Sequence, residues 1–187
     1  MINYPNKFYN YLKKDTWDSW LVSLVLIIIF IKLIFFPLLS LTMGTPLPLV
    51  VVESCSMYHS SDFNSWIEQN SEYYKSKSIS QSDFESFPLK TGLNKGDIIV
   101  IWGHSSPKVG DIIVFEAQAT HPLIHRVISL SPIQTKGDNN LGQLPIEKSI
   151  SEEQVLGKSI VKIPLVGWIK LIFFEPFRSP ESRGFCS

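Results

Sequence analysis

From Trp20 to Leu41 the chain runs for 22 residues, of which 18 are large and apolar; only Ser23, Lys32, Pro37 and Ser40 interrupt it. A helix of that length rises about 33 Å, which matches a bilayer hydrocarbon core of ~30 Å. No polar stripe recurs at 3.6-residue spacing, as it would on a helix packed into a soluble core. The stretch therefore predicts a transmembrane helix over residues 20–43. Residues 1–19 precede it as a short segment, and residues 44–187 follow as a separate domain. Charged residues make up only 18% of the chain, against about 25% in typical soluble proteins. Lys32 is costly at such a depth unless its stem snorkels outward or the helix bends near Pro37.

A cleaved leader fits less well than an uncleaved anchor. The apolar run exceeds the usual ~7–15 residues, and Leu-Thr-Met-Gly-Thr-Pro follows it instead of an Ala-x-Ala pattern. Lys7, Lys13 and Lys14 precede the run, and no Lys or Arg follows it before Lys75. The positive-inside bias then leaves the N-terminus cytoplasmic and the larger domain outside. The expected setting is a single-pass protein of the cell membrane, or of the endoplasmic reticulum in a eukaryote. Lys plus Arg and Asp plus Glu are both 17, so nothing marks a nucleic-acid partner. Two cysteines, Cys55 and Cys186, are too few for a disulfide-stapled scaffold or a four-cysteine zinc site. Cys55 is read as a thiol open to alkylation.

Beyond the anchor the expected domain is mainly β. Leu47 to Val52 reads as a short strand. The five residues Gly-Asp-Ile-Ile-Val occur at 96–100 and again 14 positions later at 110–114, each a turn signal followed by a β-branched run. Residues 123–130, 133–136 and 155–163 are further strand candidates, giving an antiparallel sheet. Residues 58–90 are serine-rich and form an insertion. Phe63, Trp66, Ile67 and Tyr74 lie at helical spacing there, behind an N-cap among Ser60, Ser61 and Asp62. The aromatics are expected to tuck onto the core; a membrane-resting or substrate-gating flap is the alternative. Residues 164–177 are apolar but too short to span a bilayer, and form either a packing segment or an interfacial foot.

Taken singly, the reactive residues have ordinary explanations. Ser54 and Ser56 sit at a strand end, His125 lies within a strand, and Asp138 occupies a Gly-Asp-Asn turn. Their order says more. An anchor, Ser54-Cys-Ser-Met57, Gly110-Asp-Ile-Ile-Val-Phe115, His125-Arg-Val-Ile128 and Thr135-Lys-Gly-Asp-Asn-Asn140 together resemble type I signal peptidases. The likeness is to the archaeal and endoplasmic-reticulum branch, in which histidine serves as base. It covers the anchor and most of residues 47–163. The resemblance implies Ser56 as nucleophile, His125 as general base, Asp138 as the supporting acid and Ser54 as an oxyanion donor. It also implies signal-peptide-bearing precursors as substrates, with the bilayer and the export channel as neighbours and no metal or other cofactor.

The chain departs from the family pattern in three places. His59 stands where the family usually has Pro, and the link before the first Gly-Asp strand is long. The family's second acid falls at Leu144, so Glu147 is the nearest candidate for that place.

The chemistry is coherent in itself. A serine hydroxyl needs a base to take its proton, imidazole suits that task and activity would fall as it is protonated by acid. A carboxylate behind the ring fixes its tautomer. Ser56 lies 15 positions after Leu41, so even fully extended it stays within roughly 50 Å of the helix end. An open sheet edge beside it could take a cleavage site as an added strand. Rival readings are weaker. Cys55 as nucleophile would face away from Ser56 in an extended chain. Lys90, Lys95, Lys108 and Lys136 do not occupy the position of His125. His121 and His125 are too far apart on a strand to share a metal ion. A catalytically inactive membrane-anchored relative, acting as a binding or accessory subunit, is the alternative function.

Overall fold

The computed structural model describes residues 4–117 and 121–186. Its chain divides into two compact units, one ending at Thr42 and the other beginning at Met43. In the first unit, α1 (Tyr4–Leu12) precedes a continuous helix, Trp17–Met43, that is long and apolar enough to cross a membrane. Its 27 residues begin three positions before the sequence-predicted start. The helix is not uniform. Between α2 (Trp17–Phe30) and α3 (Phe36–Met43) the five residues Ile31–Phe35 form a π-helical stretch. Pro37 supplies the cause: it has no N–H to donate, and its ring crowds the carbonyl of Leu33, so the turn before it widens.

The second unit is built on one six-stranded sheet: β1 (Leu49–Val51), β2 (Ile98–Trp102), β3 (Ile112–Phe115), β4 (Leu123–Leu130), β5 (Ile133–Lys136) and β6 (Val155–Ile163). Its order is β1-β2-β6-β3-β4-β5 and every pairing is antiparallel. Helices α4 (Phe63–Ser76), α5 (Gln81–Glu85) and α6 (Trp168–Phe174) complete it. With the N-terminal helices included, the chain is mixed α/β, not mainly β. The difference arises because the insertion holds two helices and residues 168–174 add a third.

The repeated pentapeptide makes the same turn twice. Gly96 and Gly110 both have positive φ, at 89° and 93°, a conformation glycine adopts without steric cost. The following aspartates reach back to the residue three before them: Asp97 accepts from the Asn94 N–H at 2.8 Å, and Asp111 from the Lys108 N–H at 2.9 Å. The two resulting strands are not neighbours, because β6 lies between them. β3 is buried along its whole length, whereas β2 alternates between buried and half-buried residues.

Three apolar clusters account for this. Ile99, Ile101, Ile112 and Val114 pack with Val52, Met57 and Leu93. Ile113, Phe115 and Val127 pack with Ile133 and Ile150. The insertion has a core of its own, in which Trp66, Ile67, Tyr74, Ile79 and Phe84 close onto Ile128 of β4. Asp62 caps α4 by accepting from the N–H groups of Asn64 and Ser65. Ser80 and Asp83 form a capping box at α5.

Candidate active site

Ser56 follows β1 in the loop that leads to α4, and its side chain is partly exposed. His125 lies on β4, 69 positions later, and its Nε2 is 3.0 Å from Ser56 Oγ. Behind the ring, His125 Nδ1 lies 2.5 Å from Glu147 Oε1. Glu147 ends the 3-10 turn Pro145–Glu147 and is 0% exposed, while His125 is 2% exposed. The carboxylate is itself held in place. Thr135 Oγ1 donates to Oε1 at 3.0 Å, and the Leu144 N–H donates to Oε2 at 2.6 Å. An acceptor at Nδ1 keeps the proton on that nitrogen and leaves Nε2 free to accept from the serine.

The acid bonded to His125 is therefore Glu147, and the assignment of that role to Asp138 is corrected. Successive residues of a strand point to opposite faces, and β4 places His125 on one face and Arg126 on the other. Asp138 belongs to the second face. Its carboxylate accepts from Arg126 Nη2 at 2.7 Å and Nε at 3.0 Å, from Tyr74 Oη at 3.2 Å, and pairs with His59 Nε2 at 3.0 Å. Burial alone would raise the Asp138 pKa, but the Arg126 guanidinium and the hydrogen bonds from His59 and Arg126 outweigh it. The carboxyl is held well below the usual carboxylate range. Burial, together with the Asp138 charge, pushes the Tyr74 phenol well above its ordinary value. Burial also lowers the Lys136 ammonium, against the opposing pull of Asp138 and Glu147. Two carboxylates that look alike in sequence thus serve different faces of one strand.

Asp138 still acts near the site through its backbone neighbours. The Asn139 N–H donates to Ser56 O at 2.8 Å, and Asn139 Nδ2 donates to Cys55 O at 3.1 Å. Gly137 lies so close that an added Cβ would come within 2.8 Å of both His125 Nε2 and Ser56 O. Ser54 Oγ is 3.1 Å from Ser56 Oγ, so the two hydroxyls are neighbours. Four of the five sequence-predicted residues, Ser54, Ser56, His125 and Glu147, form one connected cluster. Asp138 stands apart from the imidazole.

Cys55 carries no free thiol. It forms a disulfide with Cys186, 131 residues away, which overturns its reading as an alkylation target. Residues 164–177 contribute α6, whose Leu171 is buried while its Ile169, Ile172 and Phe173 are exposed, as is Phe177 beyond its end.

Sequence reasoning missed Arg126, which bonds to Asp138 and to the carbonyls of Pro88, Leu89 and Gly110. The available signal was a cation inside an apolar strand, since such a residue needs a buried partner. His59, noted only as a departure from a family pattern, is the second partner of Asp138 and stacks on Trp66 with ring centroids 3.6 Å apart. A cavity of about 270 Å³ near Gly103, Ser105, Pro107 and Glu152 shares no residue with the Ser56 cluster. Among the described residues, no group of three or more His, Cys, Asp or Glu side chains is arranged to hold a metal ion. No protein-family model matches the chain, and comparison with curated protein sequences finds no match.

Proposed function

We propose that this chain is a membrane-tethered serine endopeptidase that removes signal peptides from exported precursors, with Ser56 as nucleophile, His125 as general base and Glu147 as the acid behind it. The observation that carries the reading is the 3.0 Å approach of Ser56 Oγ to His125 Nε2, backed by a buried carboxylate on Nδ1. Three side chains from distant parts of the sequence meet in the relay that serine acyl transfer requires.

In the first step His125 Nε2 takes the Ser56 hydroxyl proton as Oγ bonds to the scissile carbonyl carbon. Glu147 stabilises the imidazolium through Nδ1–H. The negative oxygen that develops is served by donors at its side, the Ser54 hydroxyl and the Ser56 backbone N–H. Collapse of the tetrahedral intermediate breaks the C–N bond, and His125 returns its proton to the leaving amine. Water then enters and adds to the acyl carbon as His125 removes its proton. Collapse of the second tetrahedral intermediate breaks the C–Oγ bond, His125 returns the proton to Ser56 Oγ, and the new C-terminal acid leaves.

The substrate class rests on the resemblance in motif order and on the apolar helix of residues 17–43, which would hold the nucleophile near a bilayer. With the larger domain outside the cytoplasm, a disulfide at Cys55 is chemically at home, because oxidising compartments preserve such bonds. The precursor and the bilayer are the expected partners, with the export channel close by.

The test is incubation of the detergent-solubilised full chain with a secretory precursor, mapping the new N-terminus by mass spectrometry. Cleavage by the wild type that disappears in both Ser56→Ala and His125→Ala supports the assignment. Full activity in Ser56→Ala overturns it.

A further inference from the structure

The nucleophile loop is held from two sides. On one side, the Asn139 contacts bind the carbonyls of Cys55 and Ser56. On the other, residues 53 and 55 are tied to the last twenty residues of the chain, while the Met57 carbonyl just beyond is held by the Leu93 N–H at 2.8 Å. Cys186 is bonded covalently to Cys55. Lys170 Nζ pairs with Glu53 Oε1 at 2.8 Å, and Arg178 Nη2 with Glu53 Oε2 at 2.7 Å. Arg178 Nη1 also donates to the Glu53 carbonyl at 3.2 Å. These attachments fall at residues 53 and 55, on either side of Ser54 and immediately before Ser56.

The C-terminal segment is anchored well enough to bear such a role. Lys95, 1% exposed, donates to Glu175 Oε2 at 2.9 Å and to the Ser182 carbonyl at 2.7 Å. Trp168 Nε1 donates to the Lys95 carbonyl at 3.1 Å, and the Trp168 ring packs 4.5 Å from that of Phe185. The Gly184 N–H donates to Glu175 Oε2 at 2.7 Å. Arg178 Nε lies 3.2 Å from Glu175 Oε1 as an ion pair, so Arg178 joins this anchor to the Glu53 side chain. The Lys170 and Arg178 contacts lower the Glu53 carboxyl pKa, against an opposing effect of burial.

We infer that residues 168–186 form a strap whose Cys186 and Arg178 position the Ser54 and Ser56 hydroxyls, making the C-terminus part of the machinery that aligns the nucleophile. This rests on Ser56 being the nucleophile. Neither Cys186 nor Arg178 touches a reacting atom; both act through Cys55 and Glu53. Placing a nucleophile to within about an ångström matters because misplacement on that scale costs on the order of 100-fold in rate.

The experiment uses the full chain in detergent. Wild type is compared with Cys55→Ala/Cys186→Ser, Arg178→Lys and Arg178→Ala, on a precursor-derived peptide and by hydrogen exchange of residues 53–57. Loss of the strap is expected to lower kcat roughly 10- to 100-fold with KM within about twofold. Exchange in the loop should rise while β3 and β4 stay protected, and Arg178→Lys should recover part of what Arg178→Ala loses. Treating wild type with dithiothreitol gives a reversible arm. The reagent is oxidised to its cyclic disulfide while Cys55 and Cys186 are each left as thiols. After its removal, oxidised glutathione, itself reduced to two thiols, should re-form the bond and restore kcat.

The two proposals fail in distinguishable ways. If the wild type does not cleave and its Ser56 does not react with a serine-directed phosphonate, the peptidase proposal fails; loop exchange alone then tests the strap. If the wild type cleaves, and the variants and the reduced protein keep its kcat and its loop protection, the strap is overturned. A variant that loses protection throughout β3 and β4 has unfolded. In that event the dithiothreitol arm and Arg178→Lys decide the matter, and unchanged kcat and loop protection there overturn the strap.

Discussion

At the scale of single residues, the two acids near β4 bond different partners, Glu147 the His125 imidazole and Asp138 the Arg126 guanidinium, and their substitutions should have different effects. Glu147→Gln keeps the shape of the side chain but removes the charge opposite His125 Nδ1. By analogy with other serine–histidine–carboxylate relays, kcat should fall about 10⁴-fold, with little change in melting temperature. Asp138→Asn should do the reverse. It leaves Arg126, which is 0% exposed, short of its counter-charge, at a cost of about 3–5 kcal/mol in urea unfolding. The pH dependence follows from the depressed pKa of Asp138. The carboxylate's contribution is complete above its unfolded value of ~3.9 and is lost as pH falls below it toward the folded value. Wild-type stability should therefore drop on acidification below about pH 4, and Asp138→Asn should show a flatter curve there. Gly137→Ala is a third case. Its methyl would meet His125 Nε2 and the Ser56 carbonyl, so activity should fall by roughly 100-fold or more through misplacement of the base, read as kcat on the same peptide.

At the scale of elements, the serine-rich insertion is a structural partner of the sheet. Trp66 of α4 is 2% exposed and stacks on His59, which in turn reaches Asp138. Trp66→Ala should thus cost about 3–5 kcal/mol in denaturant unfolding; a cost under ~0.5 kcal/mol, typical of surface changes, would mean that the insertion is a loose flap. The helical spacing of Phe63, Trp66, Ile67 and Tyr74 was enough to find α4, and Asp62 to start it. Helix α5 escaped notice because five residues carry too little periodicity to register. The turns before β2 and β3 were legible for the opposite reason: Gly-Asp is a local device whose geometry needs only four residues to complete.

At the scale of the whole molecule, the positive-inside bias predicts that the chain after the apolar helix lies outside the cytoplasm. A reporter fused after Ser187 should be active only when the reporter works extracytoplasmically; cytoplasmic activity would reverse the orientation.

The apolar helix and the antiparallel strands are decided by short-range properties: length of an apolar run, alternation, turn chemistry and spacing. Ser56 and His125 stand out only through the order of motifs that resembles a known family, since each residue alone has an ordinary structural explanation. Which copy of the repeated pentapeptide leads into a strand buried on both faces depends on what lies above and below the sheet, so β2 and β3 differ although both begin Ile-Ile-Val. The same holds for the acids. Asp138 and Glu147 are both near His125 in the chain, but the imidazole and the guanidinium project from opposite sides of β4, and only the paths of the loops after β5 determine which carboxylate reaches which. The disulfide between Cys55 and Cys186 is of the same kind, since a separation of 131 residues along the chain does not say where the two thiols lie in space.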